Sequence, residues 1–139
     1  MNMENQNTPV STDVNYTRVL WVEDDVSQRN TIIEIIKILG HRGDVAKNGK
    51  DALGYLEANK YDLLITDIGM PVMNGWKLVE IVHEKYPGKM KISIVSGWAD
   101  MIDSEEQIEK RIDTIISKPY DIITIRNLLN DAISFNKEH

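Results

Sequence analysis

The chain has 139 residues, no cysteine and a net charge of −6, with 42% apolar and 27% charged residues. This suits one soluble globular domain, excludes a disulfide framework and a thiolate metal site, and argues against direct nucleic-acid binding. No stretch approaches the roughly 20 apolar residues that a membrane helix needs. Residues 1–15, rich in Asn, Thr and Ser, read as a disordered tail rather than a signal peptide. A cytoplasmic protein without a membrane partner is expected, its folded domain spanning residues 16–139.

From there, apolar runs of strand length alternate with segments of helical period. Arg18–Val22 is the first strand. Asp25 caps a helix running to about Leu39, with Gln28 as a capping-box partner. Ile32, Ile33, Ile36 and Leu39 recur at helical spacing, and Gly40 stops the helix. Arg42–Ala46 is a short strand, after which Asn48-Gly49 turns the chain. The next helix places Ala52, Leu53 and Leu56 on one face, with Gly54 inside it. Asp62–Thr66 is the third strand.

Trp76–Lys85 is a helix with Leu78, Ile81 and Val82 on one face, closed by Pro87-Gly88. Lys91–Val95 is the fourth strand and Ile112–Ser117 the fifth. Between them, Ser104–Arg111 holds only Ile108 as a strong apolar residue, which predicts a short, mostly solvated helix. The last helix, about Asp121–Phe135, is expected to bury Ile122, Ile125, Leu129, Ala132 and Ile133. Five strands without polar alternation, each followed by a helix, predict an α/β fold with a parallel, doubly wound sheet covered on both faces.

In such a sheet all strands point their carboxyl ends to one edge, where ligands bind. The first strand delivers Glu23, Asp24 and Asp25 there, the third Asp67, the fourth Ser96 and the fifth Lys118. Clustered carboxylates repel unless a hard cation or protons intervene. An oxygen-rich site with few ligands suits Mg2+, which keeps several waters and accepts phosphate oxygens. A lysine ammonium and a serine hydroxyl hold further phosphoryl oxygens. Together these groups fit an aspartyl-phosphate nucleophile whose charge is neutralised during transfer.

Over about residues 17–136 the chain resembles the receiver domain of two-component response regulators. The resemblance rests on Glu23-Asp24, on the D-x-x-M-P-x-x-N-G run from Asp67 to Gly75, on Ser96-Gly97 and on Lys118-Pro119. It implies the CheY-like, flavodoxin-like strand order 2-1-3-4-5. It also implies that Asp67 takes a phosphoryl group from a phosphohistidine on a histidine kinase or a histidine phosphotransfer protein. Asp24, Asp67 and the backbone carbonyl of Gly69 would bind Mg2+, with Glu23 assisting. Ser96 would bond the phosphoryl oxygen, Lys118 would pair with it, and the Lys118-Pro119 bond would be cis. Asp25 matches a variable position and keeps its capping role. The short helix near residues 104–111, the fifth strand and the last helix would form the docking side.

Three positions depart from the family pattern. Ile115 stands where a Tyr or Phe commonly reports phosphorylation, which places an aromatic switch there in doubt. Gly69 offers no side chain over the site. Trp98 is large for a rim position, and an apolar ring there would shield an acyl phosphate from in-line water. His41, His83 and His139 have no suitable neighbours for metal or nucleophilic work, and Trp21 and Trp76 read as core residues.

Two other functions compete. A Mg2+-dependent phosphohydrolase would pair Asp67 with a general acid two residues later, where Gly69 stands. A module that binds partners without phosphorylation is supported by Ile115 alone and opposed by the intact acids, Ser96 and Lys118.

Overall fold

The computed structural model describes residues 15–138, with side chains described through Phe135. The expected N-terminal tail therefore falls, except for Asn15, outside the described residues. Five strands, β1 (Arg18–Val22), β2 (Arg42–Ala46), β3 (Leu63–Asp67), β4 (Lys91–Ser96) and β5 (Thr114–Ser117), pair in parallel in the order β2-β1-β3-β4-β5. The helices are α1 (Val26–Ile38), α2 (Gly49–Ala58), α3 (Gly75–Lys85), α4 (Ser104–Glu109) and α5 (Ile122–Glu138).

Strand side chains alternate between two faces, and here both faces are apolar. Leu20, Val22, Leu64, Ile92 and Ile94 point to the layer holding Ala52 and Leu56 of α2 and Leu78, Val79 and Val82 of α3. Val19, Trp21, Leu63, Ile65, Val95 and Ile116 point to the layer of Ile32 and Ile36 from α1 and Ile125, Leu128, Leu129 and Ala132 from α5. That explains the unbroken apolar runs in the strands. None of the described helices is long and apolar enough to cross a membrane.

Several local expectations change. Asp25 caps α1 by accepting from the Ser27 and Gln28 N–H groups, but the reciprocal bond to the Asp25 N–H comes from Glu23 Oε2, so Gln28 closes no capping box. Asn48 is the N-cap of α2, accepting from Asp51 N–H, rather than half of a turn. Asp62 lies just before β3, where its carboxylate takes the Arg18 N–H and guanidinium. Asp113 likewise stands before β5, with its carboxylate accepting the Ile92 N–H. A 3-10 turn, Ala99–Met101, follows β4 without a sequence signal.

Ile122 is 48% exposed, against expectation. The buried stripe of α5 begins one turn later at Ile125 and continues through Leu128, while Ile133 is only half-buried. Helix α4 buries no residue, and its Ile108 faces out.

Candidate functional site

Asp67 is the last residue of β3, opposite Val95 of β4. Its register puts the carboxylate at the carboxyl edge, and the loop after it is held against it by close contact. Gly75 N–H donates to Ile68 O at 2.8 Å, and a Cβ at Gly75 would meet Asp67 O at 2.3 Å. Only glycine lets the start of α3 approach so near. Asp67 Oδ1 accepts from Gly69 N–H at 3.2 Å, and Oδ2 accepts from Lys118 Nζ.

Lys118 reaches Asp67 because β5 ends beside β4. Its N–H donates to Ser96 O at 3.0 Å, and the Lys118-Pro119 peptide is cis, as the family pattern implies. Burial alone would lower the Lys118 ammonium pKa. The hydrogen bond and charge of Asp67, with Glu23 behind it, outweigh burial and hold it above its ordinary value. Ser96, the last residue of β4, is buried, and its Oγ accepts from Trp98 N–H at 2.9 Å. That leaves its hydroxyl proton free to donate elsewhere.

Asp67, Gly69, Ser96 and Lys118 all line one cavity of about 490 Å³. Its other walls are supplied by Ile68, Trp76, Trp98, Met101, Ile102 and Glu106 among others. Trp98 is 76% exposed, so its ring stands open at the rim rather than packed down over the acid. Sequence reading missed Trp76, Met101, Ile102 and Glu106 as cavity residues. Trp76 does pack partly against the core, yet its ring also lines the groove towards α4, with Lys110 Nζ 4.9 Å from its centroid. No periodicity marks a residue with both roles.

Glu23 and Asp24 do not line that cavity. Glu23 is buried, and its pKa is raised. Burial is the main cause, opposed by the Asp25 N–H and the Lys118 charge and reinforced by Asp24 and Asp67. Burial, then the charge of Glu23, raises the Tyr120 phenol as well. Among the described residues no three His, Asp or Glu side chains already gather as a cation cage. The donor chemistry nonetheless suits a hard divalent cation: Glu23, Asp24, Asp67 and the exposed Gly69 carbonyl offer only oxygens. Mg2+ commonly takes one or two carboxylates and keeps its remaining waters.

The histidines are structural where described. His41 is buried, accepts Thr17 N–H on Nδ1 and meets Asn130 Oδ1 through Nε2, so Nε2 carries the proton. His83 Nε2 meets the carbonyls of Lys110 and Arg111. His139 lies outside the described residues. Trp21 is core, as expected.

Residues 19–130 match the family model described as response regulator receiver domain. The chain is 30% identical over 114 residues to the response regulator receiver protein CpdR of Brucella abortus, covering 82% of this chain and 92% of that protein. It is 26% identical over 121 residues to the transcriptional regulatory protein PcoR of Escherichia coli, covering 84% of this chain but only 53% of PcoR. The chain thus spans about half the length of that relative. A crystal structure of a CheY-like receiver domain protein from Methanospirillum hungatei JF-1 superposes with a TM-score of 0.78 at 27% identity. The match covers 88% of this chain and 98% of that one.

Proposed function

Because this chain belongs to the response regulator receiver domain family of two-component signalling, we propose that it is a phosphorylation-dependent switch with Asp67 as phosphoacceptor. The observation that carries the reading is the meeting of Asp67, Ser96 and Lys118 on one cavity, with Lys118 bonded to Asp67.

The donor is a phosphohistidine on a histidine kinase or a histidine phosphotransfer protein. An Asp67 carboxylate oxygen attacks phosphorus as the P–N bond breaks. The imidazole leaves with the bonding pair and takes up a proton, and a mixed anhydride forms on Asp67. Lys118 then shifts from the carboxylate towards a phosphoryl oxygen, and Ser96 donates its hydroxyl proton to another. Asp24, Asp67 and the Gly69 carbonyl, with Glu23 assisting, would hold Mg2+. The cation would supply positive charge against the phosphoryl oxygens.

The acyl phosphate carries a charge of roughly −2 where the Asp67 carboxylate carried −1, and sets three new acceptor oxygens beside the existing acids. Movement of Ser96 and Lys118 towards it biases the loops after β4 and β5 between two arrangements. With Ile115 half-buried against the core in place of an aromatic residue, the signal passes through those loops and α4. Each cycle consumes one phosphoryl group, so the chain is a switch that assists its own modification rather than an enzyme with turnover. We place it in the cytoplasm, where its kinase and effector partners would meet it.

The reading is tested by mixing the chain with a labelled phosphohistidine-bearing phosphotransfer domain. Label should move to the chain in Mg2+ and stay on the donor in excess chelator. Retention on the donor under both conditions, with a panel of donors, would contradict it.

A further inference from the structure

The loop between β1 and α1 must place three consecutive acids at the sheet edge against their mutual repulsion. Its backbone is tied at nearly every point. Glu23 N–H donates to Ala46 O at 2.9 Å, and Asp25 N–H donates to Glu23 Oε2 at 3.1 Å. Two carbonyls remain, those of Glu23 and Asp24. Both are taken by one nitrogen: Arg29 Nη1 donates to Glu23 O at 3.0 Å and to Asp24 O at 2.8 Å. Arg29 lies one turn into α1, four residues after the Asp25 cap, so the helix that Asp25 starts carries the group that holds the loop.

Fixing those carbonyls fixes the rotation of the peptide units after Glu23 and Asp24, and hence the direction in which each side chain leaves the backbone. The guanidinium achieves this without consuming the carboxylates. Among the described residues Arg29 makes no ion pair, in contrast to Lys118, which occupies an oxygen of Asp67. It adds positive charge beside the acids without itself occupying a carboxylate oxygen.

Resting on the reading of this edge as a cation-assisted phosphoacceptor site, we infer that Arg29 is a positioning residue that holds Glu23 and Asp24 ready for the divalent cation. Groups that orient ligands without touching the metal typically change affinity by about 10- to 100-fold when removed.

The test is calorimetric titration of the 139-residue chain and its variants with MgCl2 alone, alongside a thermal melt of each. Arg29→Ala is expected to weaken Mg2+ by about tenfold or more. Arg29→Lys, which keeps a cationic donor, is expected to recover most of that loss. With acetyl phosphate as donor, Arg29→Ala should need correspondingly more Mg2+ for half-maximal labelling of Asp67 yet reach the same plateau. A purely stabilising role would lower the melting temperature and leave the dissociation constant unchanged. If Arg29→Ala does not fold, Arg29→Gln replaces it, with the same weakening expected. A dissociation constant within about twofold of the unsubstituted chain, in whichever of the two folds, overturns the inference. Absence of Mg2+ binding in the unsubstituted chain would instead overturn the proposed function on which it rests.

Discussion

Lys118 Nζ donates to Asp67 Oδ2 across 51 positions of sequence, joining the carboxyl ends of two strands separated in the sheet by β4. Side-chain exposure of 32% for Lys118 and 14% for Asp67 leaves the pair reachable from the cavity. Lys118→Ala is expected to bind Mg2+ at least as tightly as the unsubstituted chain, since a competing cation is gone. It should lose the conformational response: the amide spectral shifts that a beryllofluoride–Mg2+ mimic induces in β5 and α5 should largely vanish. The raised Lys118 pKa gives the sign of the pH effect. Its contribution to stability is complete below the ordinary value of 10.5 and fades as pH rises through the higher folded value.

Gly75 sets how closely α3 approaches Asp67. Gly75→Ala would put a Cβ 2.3 Å from Asp67 O and 2.9 Å from Ile68 Cα, both backbone atoms that cannot rotate away. The expected cost is about 1–3 kcal/mol in urea unfolding, as for other overpacked sites. Displacement of Asp67 should also slow labelling by acetyl phosphate. Unchanged stability and labelling would show that the loop is looser than this contact implies.

Val72 stores strain. Its φ is 72°, and Met73 N–H donates to Pro71 O across it, a γ-turn of the unfavourable hand for a β-branched residue. The side chain is 76% exposed, so packing does not hold it there. Val72→Gly removes about 1–2 kcal/mol of strain and adds about 0.5–1 kcal/mol of unfolded-chain entropy. A net gain of about 0.5–1 kcal/mol should raise Tm by roughly 2–4 °C in calorimetry.

Glu23 has a raised folded pKa, so it stabilises the fold when protonated and ceases to do so as pH rises. The wild-type chain should therefore lose stability as pH climbs from its ordinary value of 4.5 through the higher folded value. Glu23→Gln keeps an oxygen for the Asp25 N–H and removes the buried charge. Without Mg2+ it should be more stable than wild type at pH 7, where the buried carboxyl of wild type is being driven towards its charged form. The difference should shrink on acidification and level off below 4.5. Denaturant melts across that range check the sign.

These residues mark where the sequence was readable. β1, with its apolar run, and the short β2 have the bounds expected, and the Asp25 N-cap of α1 and the glycine stop at Gly40, with φ of 85°, follow local chemistry. Asp62 and Asp113 were harder, because each continues a strand in pattern but spends its carboxylate on a neighbouring strand's N–H before the ladder begins. Ile122 has the right spacing for the α5 stripe but stands a turn outside the core, in a groove between α1 and α5. The candidate site was legible as a set of strand ends, since register carries Asp67, Ser96 and Lys118 together. Arg29 and Trp76 were not, because one acts on backbone carbonyls and the other divides its ring between core and cavity. Trp98 was legible as a rim residue, but its open ring gives the shielding expected of it no support in this conformation.

The central claim is that Asp67 becomes an acyl phosphate in a site completed by its cationic neighbours. Intact-mass analysis after incubation with acetyl phosphate and Mg2+ tests it most directly. The account predicts a gain of one phosphoryl group that is absent with chelator and absent in Asp67→Asn. An equal gain in Asp67→Asn, or none in the wild-type chain at saturating donor and Mg2+, would contradict it.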